Sequence, residues 1–165
     1  MKLNIQTGRE NEILRTISTE LSHEDWKKLA PVGREMVAWL KAKENGAGLA
    51  APQVGYNKRL IAVNLYDEDE DGLIYIRTVL MVNPKIVSHS DEIYNDEEGC
   101  FSVPGEYGFV KRWNSIVVEY FDEKFTKRSM RLSSFSGRVV QHEIDHLDGV
   151  LFTDKLEKLS VLHQM

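Results

Sequence analysis

The segment His-Glu-Ile-Asp-His at residues 142–146 combines two imidazoles with a carboxylate that directly follows the first of them. On a helix, residues four positions apart lie on one face, so His142 and His146 are placed to bind one metal ion together. Glu143 would lie beside the open coordination position, where a bound cation lowers the pKa of water to about 7 and a carboxylate accepts its proton. The spacing predicts a metal hydrolase, and an ordinary pair of surface histidines is the alternative.

A catalytic site of this kind needs a third protein ligand, and the sequence offers candidates on both sides of the motif. Glu157 and His163 follow it, whereas Cys100, the single cysteine, precedes it in the segment Glu-Glu-Gly-Cys-Phe-Ser. A thiolate is a strong metal ligand, and Gly99 would let the backbone turn close to the ion. A lone cysteine is also commonly a small buried hydrophobic residue. From the residues alone, both interpretations of Cys100 stay open.

A third segment, residues 46–55, is rich in glycine and alanine and contains Gln53. Its small residues would let a ligand lie against the backbone, and the Gln53 amide would donate a hydrogen bond to a developing oxyanion. The Lys-Ser/Thr ending of a phosphate-binding loop is absent. By itself, the segment predicts only a tight loop that enters a strand.

Two helices are predicted to frame these segments. Apolar residues at three- and four-residue spacing predict an amphipathic helix over residues 22–43, interrupted near Pro31 and stopped at residues 45–46. A second helix, which would present the metal motif, is expected to begin near residues 133–134 and to end at Gly149.

Between the helices, short β-branched and aromatic runs predict strands at residues 59–65, 79–83, 85–90 and 115–121. Pro84 is expected to break the run between two of them. Residues 67–72, five acidic residues followed by a glycine, match the first half of a calcium-binding loop. Thr78 stands at the twelfth position of that loop, where the bidentate Glu should be, so a solvated hairpin loop is favoured. The pattern predicts an α+β fold in one domain, residues 1–165, with mostly antiparallel sheets packed around the metal-binding helix.

Composition excludes several classes of protein. The formal net charge of −5 gives no basic surface for nucleic acid. One cysteine forms no internal disulfide, which favours a reducing compartment. The longest apolar run in the first forty residues is residues 36–40, too short for a signal peptide or a membrane span. A cytoplasmic protein that binds neither nucleic acid nor membrane is expected.

Taken together, the three segments resemble those of the peptide deformylase family, which carries G-x-G-L-A-A-P-Q, E-G-C-L-S and Q-H-E-x-D-H-L-x-G in this order. Here they are residues 46–53, 98–102 and 141–149, and fainter similarity extends over most of the chain. The resemblance implies removal of the formyl group from the N-terminal formyl-methionine of newly made polypeptides. It also implies one divalent metal ion, with Fe(II) as the usual metal and Zn, Ni or Co as alternatives.

The resemblance implies a role for each matching residue. The metal ligands would be Cys100, His142 and His146. Glu143 would be the general acid/base, and Gln53 with the backbone N–H of Phe101 would hold the oxyanion. The substrate would lie along a strand edge and contact Gly48, Glu98, Tyr107 and Val139. Asp145 and Arg112 match an ion pair that supports the metal-binding helix.

Three features depart from the family's usual pattern. Phe101 stands where Leu is usual, so its larger ring is expected to reshape the methionine pocket. Tyr107 occupies a position where many members have Arg, which alters contacts to the substrate backbone. The long final helix is expected to be missing or reduced to residues 153–164, so at most a transient contact with the ribosome is expected.

Two other functions compete with deformylation. The altered residues on the substrate side would suit a related metallohydrolase that acts on another small N-acyl group or on a peptide bond. A non-catalytic binding protein of the same fold is the third hypothesis, and Glu143 counts against it because a pure binder needs no base beside the metal.

Overall fold

Two antiparallel sheets and three α-helices make up the part of the chain, residues 2–156 and 163–164, that this computed structural model describes. The helices are α1 (Glu12–Arg15), α2 (His23–Lys41) and α3 (Ser134–Leu147). The strands are β1 (Gly48–Ala50), β2 (Leu60–Glu68), β3 (Ile74–His89), β4 (Ile93–Cys100), β5 (Val103–Trp113), β6 (Ser115–Phe121), β7 (Lys127–Ser133) and β8 (His163–Gln164). Two 3-10 turns are Ala51–Val54 and Phe152–Lys155.

The five-stranded sheet has the order β1-β2-β3-β6-β7, and the three-stranded sheet has the order β4-β5-β8. Each named pair of strands is antiparallel. Helix α3 packs on the larger sheet and also donates side-chain hydrogen bonds to backbone carbonyls of β4 and β5. The prediction of an α+β fold with mostly antiparallel sheets around this helix is confirmed.

Strand β2 lies between the two long helices, which explains why residues 60–65 are buried without interruption. Leu60 and Ala62 belong to the apolar cluster that includes α2, whereas Ile61 and Val63 belong to the cluster that includes α3. Successive side chains of a strand point to opposite faces, so one strand serves both clusters. Burying an aliphatic side chain the size of Ile61 or Val63 contributes about 1.5–3 kcal/mol, which holds α3 against the sheet.

Helix α2 runs through Pro31 without interruption, so the predicted break there is wrong. A capping box between Ser22 and Asp25 starts the helix, and buried residues on both sides of the proline hold it against the sheet. Tertiary packing thus compensates for the hydrogen bond that proline cannot donate. The helix ends at Lys41, earlier than the predicted stop at residues 45–46.

Pro84 lies within one continuous strand, β3, rather than between two separate strands. The register with β6 shifts between Val82 and Lys85, and Asn83 adopts a left-handed conformation with φ of 52°. The predicted break is therefore a β-bulge, one of the few places where a sheet accepts proline. Acidic residues 67–72 lie in the β2–β3 hairpin as predicted, and the Asp69 carboxylate accepts hydrogen bonds from two backbone N–H groups of the loop.

Helix α3 begins after Ser133 and ends at Leu147, two residues before the predicted stop. Gly149 has φ of 74° and lets the chain leave the helix against α1. The chain then forms the turn Phe152–Lys155, and Leu156 bridges to Val110, so the predicted final helix does not begin here. Residues 157–162 of that predicted helix lie outside the described part. No helix among the described residues is long and apolar enough to cross a membrane.

Candidate metal centre

Helix α3 and the end of strand β4 bring Cys100, His142 and His146 together. One side-chain donor atom from each lies within 4.8 Å of the other two. The Cys100 Sγ atom is 3.3 Å from Nε2 of His146. Both histidines lie on one face of α3, as residues four apart must, and Cys100 approaches that face from the last position of β4.

The chemistry of these three donors fits a divalent metal ion. The Nδ1 atom of His142 lies 2.8 Å from a carboxylate oxygen of Glu98, which leaves its Nε2 atom facing the cluster. A carboxylate behind a histidine ligand is the arrangement that fixes the imidazole tautomer for metal binding. The three donors are close enough to surround one ion, since metal–nitrogen and metal–thiolate bonds are about 2.0–2.3 Å long.

Glu143 lies beside this cluster with its carboxyl group buried. One of its oxygens is 4.0 Å from Nε2 of His142, and the other is buried without a hydrogen-bond partner among the described residues. Burial is the main cause that raises the pKa of Glu143 to about 7, and the nearby charge of Glu98 adds to it. A carboxyl group with this pKa is able to accept and return a proton near neutral pH.

Gln53 lies next to the cluster, in the turn Ala51–Val54. Its side-chain oxygen accepts a hydrogen bond of 2.9 Å from the backbone N–H of Ala50, so its amide nitrogen must point the other way. That nitrogen lies 3.1 Å from the Ser102 hydroxyl oxygen and 3.6 Å from the Cys100 sulfur. The local turn therefore aims an N–H donor at the space beside the thiol.

Glu98 is buried behind His142 and is surrounded by cations. Arg112 donates two hydrogen bonds of 2.9 Å to its carboxylate, and Arg138 donates a further one. Burial alone would raise the pKa of Glu98, but the hydrogen bonds from Arg112 and His142 outweigh it and hold the pKa well below its ordinary value. These contacts favour a role in orienting His142, so the predicted contact of Glu98 with substrate stays a prediction that the geometry does not favour.

Arg112 also contacts Asp145, at 2.5 Å, and Lys155 contacts the same carboxylate at 3.1 Å. Arg112 and Asp145, the ion pair that the family resemblance implies, are therefore in contact, and their role in supporting α3 stays a prediction.

Arg138 was absent from the sequence prediction. Its position one helical turn before His142 is the signal that could have suggested it.

A cavity of about 500 Å³ opens beside the cluster. Its walls include the predicted substrate-contacting residues Gly48, Glu98, Tyr107 and Val139. The ring of Tyr107 lies directly over Gly99, where an added Cβ would meet it at 2.5 Å. The Phe101 ring also lines the cavity and packs edge-on against Trp39 of α2, with ring centroids 4.9 Å apart. Both departures from the family pattern thus line this cavity.

Comparison with known proteins agrees with this geometry. The model of one family, described as polypeptide deformylase, matches residues 3–161. Peptide deformylase of Enterococcus faecalis is 37% identical over 172 residues, covering 96% of this chain and 91% of that protein.

Solved structures show the same likeness. A probable peptide deformylase from Synechococcus phage S-SSM7 is 41% identical with a TM-score of 0.80, covering 94% of this chain and 100% of that one. The Met-Ala-Ser-bound class I type b peptide deformylase of Acinetobacter baumannii is 32% identical with a TM-score of 0.78, covering 94% and 99%. This chain therefore belongs to the peptide deformylase family of metal-dependent hydrolases.

Proposed function

We propose that this enzyme removes the formyl group from the N-terminal formyl-methionine of newly made polypeptides and releases formate. The observation that carries the proposal is the buried Glu143 carboxyl beside the Cys100, His142 and His146 donors, at the base of an open cavity. Amide hydrolysis needs a base that also returns a proton to the leaving amine, and this carboxyl is placed for both tasks.

Cys100, His142 and His146 would hold one divalent metal ion. We propose Fe(II), the family's usual metal, while Zn, Ni and Co suit the same donors. When bound, the metal supplies a Lewis acid that polarises the formyl oxygen and makes water acidic enough to attack at neutral pH.

The chain's own residues would carry the proton and stabilise the negative charge. Glu143 accepts a proton from the attacking water and then donates it to the amine nitrogen as the C–N bond breaks. Burial raises the pKa of this carboxyl, which favours its holding the proton between the two steps. The amide nitrogen of Gln53 and the backbone N–H of Phe101 donate hydrogen bonds to the oxyanion that develops on the formyl oxygen.

The cavity would hold the substrate with its backbone between Gly48 of β1 and Gly99 of β4. An extended peptide binds such strand edges through main-chain hydrogen bonds. The methionine side chain would enter the part of the cavity near Val139, where each buried CH₂ contributes about 0.8 kcal/mol. We expect a preference for Met with tolerance of similar unbranched side chains. The Acinetobacter baumannii relative with bound Met-Ala-Ser supports this class of ligand.

The test is formate release from a formyl-methionyl tripeptide by protein freshly loaded with Fe(II), Ni(II) or Co(II) without oxygen. We expect turnover that stops on chelation, and a loss of at least about 100-fold in kcat in Glu143→Gln, because general acid–base catalysis typically contributes that much. Glu119→Gln, a surface control at a residue that pairs with Lys127, should retain wild-type kcat. A metal-loaded protein that releases no formate would refute the proposal.

Phe101 and Tyr107 favour one second candidate, a metallohydrolase for another N-acyl group or for a peptide bond. Both rings line the cavity at the substrate side and leave the metal donors unchanged. N-acetyl and internal peptide substrates belong in the same assay, and faster turnover of either than of the formyl peptide would select this candidate.

We further propose that the enzyme acts in the cytoplasm, with no more than a transient ribosome contact.

A further inference from the structure

We infer that Arg138 is a positioning residue for the metal centre, acting through Glu98 on His142. The inference rests on the proposed function of Cys100, His142 and His146 as metal ligands. Arg138 lies on α3 one turn before His142, and its side chain is only 3% exposed. Its contacts join the helix that carries two of the donors to the sheet that carries the third.

The first part of the argument is how Glu98 is held. One carboxylate oxygen accepts hydrogen bonds from His142 Nδ1 at 2.8 Å and from Arg112 at 2.9 Å. The other accepts from Arg112 at 2.9 Å and from Arg138 at 2.5 Å. Arg112 belongs to β5, so it fixes Glu98 relative to the sheet. Arg138 belongs to α3, so it fixes the same carboxylate relative to the helix that carries His142.

The second part is how α3 is held. The guanidinium of Arg138 also donates to the backbone carbonyl of Val110 on β5 at 2.8 Å and to that of Tyr94 on β4 at 2.9 Å. It lies over the Tyr94 ring, with 4.4 Å between the guanidinium carbon and the ring centroid. Strand β4 ends at Cys100. One side chain therefore ties the strand that carries the thiol to the helix that carries both imidazoles.

The third part is charge. Glu98 and Asp145 supply two buried or partly buried carboxylates, and Arg112 and Arg138 supply two buried guanidinium groups. Lys155 also pairs with Asp145, so removing Arg138 would leave Glu98 with the guanidinium of Arg112, which Glu98 shares with Asp145 in a site largely shielded from water. The Glu98 carboxylate would lose the side-chain contact from Arg138 that ties it to α3, which would loosen the imidazole of His142 that it orients.

The test compares Arg138→Met and Arg138→Lys with the wild-type chain. Arg77→Met is the matched control, because Arg77 is half exposed and pairs with Asp67 on the β2–β3 hairpin. Each protein is loaded with Co(II) without oxygen. Three quantities are measured: the thiolate-to-cobalt charge-transfer and ligand-field bands, the rate of Co(II) loss to a chelator, and kcat and KM for a formyl-methionyl peptide. Unfolding of the metal-free proteins is measured separately.

In Arg138→Met we expect Co(II) loss on the order of 10- to 100-fold faster, as for other residues that support metal ligands. The ligand-field band should shift, and kcat should fall more than KM changes. Arg138→Lys should have a rate of Co(II) loss and a kcat between those of the wild type and Arg138→Met. A single ammonium nitrogen cannot replace the two guanidinium nitrogens that contact Glu98 and the Tyr94 carbonyl. Arg77→Met should match the wild type in all three measurements.

A purely structural role makes a different prediction, namely lower stability of the metal-free protein with an unchanged cobalt spectrum and rate of metal loss. That result in Arg138→Met, or in Arg138→Lys if the Met variant does not fold, would overturn the inference. A wild-type chain without a thiolate-to-cobalt band would overturn the proposed metal site and this inference with it. A wild-type chain with the thiolate-to-cobalt band, together with variants whose ligand-field band and rate of Co(II) loss are unchanged, would overturn the inference alone.

Discussion

At the scale of single residues, Gly48 and Glu143 are in direct contact at the cavity. A Cβ atom added to Gly48 would lie 2.7 Å from both Cγ and Oε2 of Glu143. Such a distance is shorter than carbon atoms adopt without moving apart, so the missing side chain makes room for the carboxyl group. Gly48 thus has a steric role beside the substrate contact that the family resemblance implies.

Gly48→Ala should therefore lower kcat by about 100-fold, because displacing a catalytic group by about 1 Å costs on that order. Steady-state kinetics on a formyl-methionyl peptide, with metal content checked to be equal, measures the effect. Gly46→Ala is the control, since its Cβ would meet Cδ1 of Leu40 at 2.9 Å and Cβ of Lys43 at 3.1 Å, and none of its nearest atoms belongs to Glu143. Wild-type kcat in Gly48→Ala would show that Glu143 does not need this space.

The residues that carry chemistry were easier to predict than those that position them. His142 and His146 have a spacing set by the helix itself, and Cys100 belongs to a motif whose order is distinctive. Arg138 lies outside the three motifs. Its partners are backbone carbonyls of β4 and β5 and a carboxylate forty residues away along the chain. Contacts of this kind exist only once the sheet has formed, so spacing along the chain does not reveal them.

At the scale of elements, the position of α3 depends on how the chain leaves it. Gly149 has φ of 74°, and a Cβ there would lie 2.6 Å from the backbone oxygen of Arg15 in α1. The Arg15 side chain in turn donates to the Gly149 carbonyl at 3.2 Å. The end of α3 is therefore packed tightly against the N-terminal part of the chain.

Gly149→Ala should destabilise the metal-free protein by about 2–4 kcal/mol, which combines the cost of left-handed backbone with that of the collision. Gly72→Ala is a matched control, because Gly72 also has positive φ, at 81°, but lies in the open hairpin. It should cost about 1–2 kcal/mol from the backbone alone. Urea unfolding measures the free energy of unfolding of both variants. Equal losses of stability in Gly149→Ala and Gly72→Ala would show that the collision with Arg15 adds no cost.

The elements that sequence patterns predicted are those with a regular apolar period. Strand β6 matched its predicted bounds, Ser115–Phe121, because β-branched and aromatic residues fill it. Strands β4, β5 and β7 were missed: β4 contains the acidic run before Gly99, β5 begins with Val-Pro-Gly, and β7 is mostly exposed and basic. Their pairing depends on neighbouring strands, and tertiary context of this kind overrides local propensity.

At the scale of the whole molecule, an ion pair joins the N-terminal α1 to the turn that follows α3. Arg15 and Asp154 lie 2.6 Å apart. The hydrogen bond from Arg15 is the main cause that lowers the pKa of Asp154 below its ordinary value of 3.8. A carboxyl whose folded-state pKa is lowered contributes stability above its unfolded-state pKa, and loses it as the pH falls through the folded-state value.

The coupling free energy between Asp154→Asn and Arg15→Gln should therefore be fully present near neutral pH and should fall toward zero below about pH 4. A double-mutant cycle of urea unfolding, repeated across this pH range on metal-free protein, measures it. A coupling that stays constant as the pH falls would contradict the assigned ionisation of Asp154.

Cys100 ends a strand of the smaller sheet, whereas His142 and His146 belong to a helix packed on the larger one. An ion shared by these residues would be a covalent-like cross-link that closes a loop of about 40 residues. Because the three donors come together only in the folded chain, the binding free energy of the ion would add to the stability of the fold. The thiolate would then be part of the protein's stability as well as its chemistry, so oxidation of this one sulfur would weaken the fold and stop turnover together.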